Sequence, residues 1–191
     1  MVVSIATRLR DITARHELWR SRCINLIPSE NVTSRLARRM LASDFGHRYF
    51  WQDPWYAGQK FTEQVEQLAV EAAKRLFGVE YANVRPLSGH MALMAVLMGL
   101  LKPGDSIVVS HPDNGGYPLN LQARFPLQLH YFPYQSNRYV MDAEGAAELV
   151  ERVQPRLVVF GASVFLFPHP ARQVSKVDRR AGATVVYDGS H

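Results

Sequence analysis

Residues 81–105 read YANVRPLSGHMALMAVLMGLLKPGD, and a helix is predicted to begin in the middle of this stretch. Pro86 disfavours helix on its N-terminal side, and Ser88 and Gly89 are favourable N-cap residues. The run 91–101 is apolar on every side until a Lys-Pro-Gly turn ends it. We therefore expect this helix to lie deep in an α/β domain.

The start of this helix also has the chemistry of an anion site. Its first turn presents a small hydroxyl residue, a glycine and backbone N–H groups that lack helical acceptors. These donors and the helix dipole both favour a phosphate. The alternative is an ordinary capped core helix, because caps of this kind are common.

Helical and strand patterns alternate along the rest of the chain. Residues 64–77 form a helical stripe closed by Gly78, and Asp142 is placed to cap a later helix. Continuous apolar strands separated by helices predict a mainly parallel sheet covered on both faces. We expect it to be an incomplete doubly wound sheet. Two further helices are predicted at 142–153 and 171–180. The predicted strands are 106–110, 127–132, 156–160 and 184–187.

Polar residues follow three of the predicted strands, where such sheets bind ligands. They lie in the segments 111–117, 161–163 and 188–191. In the last segment Asp188 ends a strand and His191 comes three residues later. A strand-end carboxylate is favourable when it meets a cation, and a protonated heterocyclic nitrogen of a cofactor would serve. The alternative for Asp188 is a helix N-cap.

Composition restricts the class of protein. The 191 residues are 47% hydrophobic and 20% charged, an ordinary mixture for one soluble domain. No membrane-length apolar run or signal peptide is present, and a single cysteine, Cys23, suits a reducing cytoplasm. The net charge of +5 comes largely from scattered N-terminal arginines, which favour solvated faces or a subunit contact over nucleic-acid binding. No dinucleotide, Walker, hydrolase or metal-ligand motif is present.

Taken together, short motifs along the chain resemble the first half of the large domain of serine hydroxymethyltransferases. These are pyridoxal-phosphate enzymes of the aspartate-aminotransferase fold, and the resemblance covers nearly the whole chain. The matching stretches are Ile27–Asn31, Val65–Ala69, Leu76–Gly78, Tyr81–Val84, Ser88-Gly89, Leu101–Asp105, Gly115-Gly116 and Asp188-x-x-His191.

The resemblance implies a pyridoxal 5'-phosphate site. Ser88, Gly89 and His90 would bind the cofactor phosphate, in agreement with the anion-site interpretation. Tyr117 would stack on the pyridine ring where the family has histidine. Asp188 would pair with the pyridine nitrogen and keep it protonated, so that the ring accepts electrons from the substrate's alpha carbon.

The resemblance also implies a substrate site in an oligomer. Ser163 and His191 would lie near the phenolic oxygen of the cofactor, and Ser29 would contact the carboxylate of a small amino acid. Tyr49 and Tyr56 match tyrosines that reach into a neighbouring subunit's site and bind substrate. The implied catalytic residues are Tyr56, Asp188 and His191.

Three departures from the family pattern qualify this reading. Trp51 stands where the family has the glutamate that handles protons during folate chemistry, which argues against use of tetrahydrofolate; Asp53 is a displaced alternative acid. His90 replaces a serine of the phosphate cup. The chain has no counterpart of the Schiff-base lysine, because Lys60, Lys74, Lys102 and Lys176 all fall elsewhere in the pattern.

We therefore expect 1–60 to be an N-terminal helical arm and interface segment, and 61–191 the first half of the cofactor-binding domain. The remainder would come from a second polypeptide in a hetero-oligomer, or the chain is a piece of a longer protein. The expected chemistry is aldol-type: retro-aldol cleavage, transaldol or hydroxymethyl transfer on a small amino acid. The alternatives are a non-catalytic structural or regulatory subunit of a pyridoxal-phosphate enzyme and a generic α/β phosphate-binding protein.

Overall fold

The structure, a computed structural model, describes residues 4–51, 55–117, 126–136 and 139–191, with the backbone alone for 177–181. The chain divides into two compact units, Met1–His47 and Arg48–His191. Asp53, the displaced acid proposed from the sequence, lies outside the described residues. Over the described ranges, no helix combines the length and the apolar character that crossing a membrane requires.

The N-terminal unit is built from two helices, α1 (Ile5–Arg20) and α2 (Arg35–Leu41). Each is capped by a serine: Ser4 Oγ accepts the Thr7 N–H at 3.2 Å, and Ser34 Oγ accepts the Ala37 N–H at 3.1 Å. None of its described residues is buried, and apolar side chains such as Ile5 are largely exposed. This unit therefore has no hydrophobic core of its own.

The second unit opens with α3 (Thr62–Phe77). Gly78 ends it in the left-handed conformation, at φ 63°, which confirms the predicted stop signal. The apolar stripe predicted for this helix is present, but its larger members are exposed: Val65, Leu68, Leu76 and Phe77. Nothing in the described part of this unit buries that stripe.

The rest of the unit is a four-stranded parallel sheet with α4 (Gly89–Leu100), α5 (Ala143–Val153) and α6 (Ala171–Ala181). The strands are β1 (Ser106–Val109), β2 (Gln128–Tyr131), β3 (Leu157–Phe160) and β4 (Thr184–Tyr187), in the order β2-β1-β3-β4. All three pairings are parallel, which confirms the predicted fold class. Their carboxyl ends consequently lie at one edge of the sheet.

Alternate residues of the central strands enter two separate cores. Ile107 and Leu157 pack with Leu93 and Leu97 of α4 on one face. Val108 and its neighbours face the other side, where they pack with residues of α5 and α6. Successive side chains of a β-strand point to opposite faces of the sheet. Because both faces are covered here, β1 and β3 are buried on both sides, as predicted. Edge strand β4, by contrast, leaves Val185 and Tyr187 exposed.

The prediction that α4 lies deep in the domain is wrong for this chain. Leu93 and Leu97 are buried, whereas Met91 and Met98 are 49% and 67% exposed. The helix covers one face of the sheet, and no described element covers its outer side. An apolar composition on all sides indicates how much surface a helix can bury, but not how many neighbours it has.

The one-sided packing of α4 predicts opposite outcomes at adjacent positions. Leu97→Ala removes a side chain that is 4% exposed, so we expect the free energy of unfolding to fall by about 2–5 kcal/mol. Met98→Ala removes an exposed side chain and should change it by no more than about 0.5 kcal/mol. Urea unfolding of both variants checks this; an equally large loss for Met98→Ala would mean that the outer face of α4 is also packed.

His169 is half-buried behind the carboxyl ends of β3 and β4. Its ring lies 5.0 Å from Phe165 and 6.4 Å from both Phe160 and Tyr187, centroid to centroid. Both ring nitrogens are buried without a hydrogen-bond partner among the described residues. Desolvation by burial lowers the pKa of His169 below its ordinary value.

This lowered pKa predicts a loss of stability in acid. As pH falls below about 6.5, His169 takes up a proton in the unfolded chain before it does so in the folded one. Protonation therefore stabilises the unfolded state, and the free energy of unfolding falls. His169→Phe should abolish this contribution, so that the variant loses less stability than the wild type between pH 8 and pH 5. Thermal unfolding at both pH values measures the difference. The change caused by His169→Phe at pH 8, where the histidine is neutral in both states, gives the effect of the substitution on packing alone. Equal acid sensitivity of the two proteins would contradict the prediction.

Candidate functional site

The first turn of α4 forms one side of the site. Ser88 is its N-cap, and Ser88 Oγ accepts the Met91 N–H at 3.2 Å, as predicted. Ser88, Gly89 and His90 are exposed. Within the described ranges no acceptor is found for the Gly89 and His90 N–H groups, so the first turn keeps donors for an anion.

The ends of β3 and β4 form the base of the site. The Asp188 N–H donates to the Phe160 carbonyl at 2.8 Å and continues the ladder beyond β4. Gly161 adopts φ 128°, and a Cβ there would approach Asp188 Cβ to 2.7 Å. A side chain at position 161 would therefore force the two strand ends apart.

The Asp188 carboxylate is half-buried and accepts the Ser190 N–H at 2.9 Å. Among the described residues, no lysine, arginine or histidine pairs with it. The carboxylate is thus suited to a cationic ligand atom.

The loops after β1 and β3 are joined through their backbones. The Gly115 carbonyl accepts the Ser163 N–H at 2.8 Å and the Val164 N–H at 3.2 Å. Gly115 has φ 79°, and a Cβ at this position would overlap the Val164 carbonyl. His191 Nδ1 lies 2.7 Å from the Ser163 carbonyl. Because a carbonyl can only accept, Nδ1 carries a proton, and in the neutral ring Nε2 holds the lone pair.

Tyr117 closes the site against α4. Its hydroxyl lies 3.1 Å from His90 Nδ1, and the two ring centroids are 5.7 Å apart. On the other side, a Cβ on Gly89 would lie 3.1 Å from Ser190 Oγ. A continuous circuit of contacts therefore links the start of α4 to the three strand-end loops. In order it runs through Gly89, Ser190, His191, Ser163, Gly115, Tyr117 and His90.

Three other residues proposed from the sequence lie outside this circuit. Ser29 belongs to the N-terminal unit, in a short 3-10 helix, Pro28–Glu30. Tyr49 and Tyr56 contact each other edge to face, with ring centroids 5.6 Å apart. Hydrogen bonding to Tyr56, with smaller contributions from burial and from the charge of Tyr56, raises the pKa of Tyr49. Among the described residues, no hydrogen bond or ring contact joins this pair to Ser88, Tyr117 or Asp188.

Sequence reasoning assigned no role to Ser190. It lies between Asp188 and His191, in a segment already singled out, but its position against Gly89 depends on pairing β4 with β3. A cluster of His, Cys, Asp and Glu side chains able to hold a metal ion is absent from the described ranges.

Comparison with known proteins identifies the family. The serine hydroxymethyltransferase family model matches residues 3–191. The chain belongs to the serine hydroxymethyltransferase family. It is 41% identical over 183 residues to a serine hydroxymethyltransferase of Thermococcus kodakarensis, covering 92% of this chain and 42% of that protein. It is 39% identical over 184 residues to one from Methanopyrus kandleri, covering 93% of this chain and 43% of that protein. The chain thus spans less than half the length of these relatives.

The family implies pyridoxal phosphate as cofactor, and the residues of the site fit it. The bare N–H groups of α4 suit the phosphate, and the Tyr117 ring suits a flat heterocycle. The half-buried Asp188 carboxylate suits a protonated ring nitrogen. These three features suit a ligand that combines an anion, an aromatic ring and a cationic atom.

The glycine contact between two loops gives a prediction about the integrity of the site. Gly115→Ala places a Cβ against the Val164 carbonyl and in a left-handed conformation, so we expect it to destabilise the chain by more than about 1 kcal/mol. Gly99→Ala is the matched control, because a Cβ there meets open space near the end of α4. It should be neutral or stabilise by up to about 1 kcal/mol. Denaturant unfolding distinguishes the two, and a tolerated Gly115→Ala would contradict the close approach of the loops.

Proposed function

We propose that this chain is the part of a pyridoxal-phosphate enzyme that binds the cofactor's phosphate and ring, and that the enzyme catalyses an aldol-type reaction on a small amino acid. The observation that carries the proposal is the circuit of contacts around the half-buried Asp188 carboxylate. Retro-aldol cleavage, transaldol and hydroxymethyl transfer all belong to this class. A non-catalytic subunit and a generic phosphate-binding protein remain as outcomes of the tests below.

In this proposal the phosphate lies at the start of α4. The N–H groups of Gly89 and His90 donate to it, and Ser88 Oγ contacts it while it caps the helix. Gly89 allows close approach because it has no side chain, and a Cβ at this position would lie 3.1 Å from Ser190 Oγ, a tight contact. The helix dipole adds a favourable interaction with the phosphate charge.

Asp188 and Tyr117 hold the ring. When bound, pyridoxal phosphate supplies an electron sink for the substrate's alpha carbon. Asp188 would accept a hydrogen bond from the pyridine nitrogen and hold the proton on it. The Ser190 N–H donates to the same carboxylate at 2.9 Å and orients it. Tyr117 packs against the ring face.

His191 and Ser163 contact the cofactor's phenolic oxygen. The hydrogen bond from His191 Nδ1–H to the Ser163 carbonyl orients the imidazole and fixes its tautomer. His191 is therefore suited to hold or exchange a proton at Nε2 near the reacting centre.

Ser29, Tyr49 and Tyr56 serve the substrate. We propose that Ser29 binds its carboxylate, and that Tyr49 and Tyr56 serve the active site of a neighbouring copy. Trp51 stands in place of the family's glutamate, which supports a reaction that does not use tetrahydrofolate.

The enzyme is completed by a segment that carries the Schiff-base lysine. The Thermococcus kodakarensis and Methanopyrus kandleri relatives are more than twice as long as the part that this chain matches, which supports such a segment. Lys102 precedes β1 and lies at the sheet edge opposite Asp188, while Lys74 and Lys176 belong to α3 and α6. We propose that the segment is a second polypeptide and that the assembled protein is a hetero-oligomer.

Asp188→Asn tests the proposal. It removes the charge that holds the proton on the ring nitrogen, so we expect affinity for pyridoxal phosphate to fall about 10- to 100-fold. The thermal midpoint should stay close to that of the wild type, because Asp188 contributes one described side-chain hydrogen bond. Asp113→Asn, which removes an exposed carboxylate from the same edge of the sheet, is the control. Binding measured by absorbance titration that falls equally in both variants would contradict the proposed role of Asp188.

A second test concerns the lysines. Borohydride reduction of this chain with pyridoxal phosphate, followed by peptide mass spectrometry, should give no stoichiometric adduct on Lys60, Lys74, Lys102 or Lys176. The assembled protein should give one on the completing segment. A specific adduct within this chain would overturn the need for that segment, and no binding of the cofactor by either form would favour the non-catalytic alternative.

A further inference from the structure

The side chains of His90 and Tyr117 contact each other within the site. The resemblance described above implies a serine at position 90 and a histidine at position 117 in the family, where this chain has His90 and Tyr117. The Tyr117 hydroxyl lies 3.1 Å from His90 Nδ1, and their rings are tilted by 55°. The two residues are 27 positions apart, so this contact is a product of the tertiary fold.

The two departures are physically linked. The phenolic oxygen of Tyr117 extends beyond the reach of a histidine side chain at that position. A serine at position 90 would carry its oxygen one bond closer to the backbone than Nδ1 lies. Neither residue of the family's pair would reproduce this hydrogen bond with the partner present here. Changing one residue alone would leave the tyrosine hydroxyl or the imidazole nitrogen without this partner.

Tyr117 has few other restraints on its ring. The side chain is 43% exposed, and the His90 contact is the one hydrogen bond of its hydroxyl among the described residues. Its backbone is anchored, because Gly115 binds the loop after β3 and the Gly116 N–H donates to the His111 carbonyl at 3.0 Å. The hydrogen bond to His90 therefore restrains the outer end of a ring whose inner end is already held.

We propose that His90 is a positioning residue that holds the Tyr117 ring in place to stack on the cofactor. This inference rests on the proposed function, since it is the cofactor ring that Tyr117 would contact. His90 sits in the first turn of α4, so the hydrogen bond couples the phosphate end of the site to its ring-binding wall. A competing role for His90 is direct binding of the phosphate, and this role makes different predictions.

Affinity measurements with two probes separate these roles. We expect His90→Phe and Tyr117→Phe each to weaken pyridoxal phosphate about three- to tenfold, the effect of losing one neutral hydrogen bond. The double variant should be no weaker than either single variant, because both remove the same interaction. His90→Asn places a polar atom close to the position of Nδ1 and should restore most of the affinity. Inorganic phosphate should bind all variants alike.

The outcomes assign the role. If His90→Phe weakens inorganic phosphate as much as pyridoxal phosphate, and Tyr117→Phe weakens neither, His90 is a phosphate ligand and the positioning role is overturned. Additive losses in the double variant would overturn it as well. Thermal unfolding of each variant identifies any loss of affinity that arises from misfolding.

Histidine side-chain NMR tests the hydrogen bond without any cofactor. We expect Tyr117→Phe to shift the His90 Nδ1 resonance and to leave that of exposed His16 unchanged. An unchanged His90 resonance would overturn this inference, even if wild-type protein binds pyridoxal phosphate. Failure of wild-type protein to bind the cofactor, with the His90 shift present, would instead count against the proposed function.

Discussion

The parallel pairing of β3 with both β1 and β4 is the constraint on which the rest of the structure depends. It aligns Leu157 with Ile107 on one side and Val158 with Val185 on the other. Backbone hydrogen bonds set this register, and burial on both faces of the central strands makes a slip by one residue costly. Because all strands run in the same direction, the loops that follow β1, β3 and β4 meet at one edge.

Contacts between the loops then convert this edge into a defined site. Gly115 and Gly161 permit backbone approaches that a side chain would block, and the His191 imidazole bridges to the Ser163 carbonyl. The start of α4 joins the same circuit through His90 and Gly89. The arrangement brings helix donors, an aromatic ring and the Asp188 carboxylate together at one edge of the sheet.

The amount of apolar surface left exposed is the other main property of the chain. The outer face of α4, the stripe of α3 and the apolar residues of the N-terminal unit are all accessible. Apolar exposure on this scale is unusual for an isolated domain. The chain matches less than half of the length of the relatives it was compared with.

From α3 onwards, the sequence by itself determined the helices and strands to within about two residues, the capping roles of Ser88 and Asp142, and the parallel sheet, because these depend on local periodicity and turn chemistry. For the N-terminal unit it indicated helix without the bounds of α1 and α2. It also singled out Asp188 and His191 as candidates, because they follow the end of a predicted strand, where parallel sheets bind ligands. The tertiary structure alone decided that α4 is buried on one face, that Ser190 lies against Gly89, and that His90 meets Tyr117. These contacts join segments far apart in the chain, and they follow from strand order and register, which no local pattern encodes.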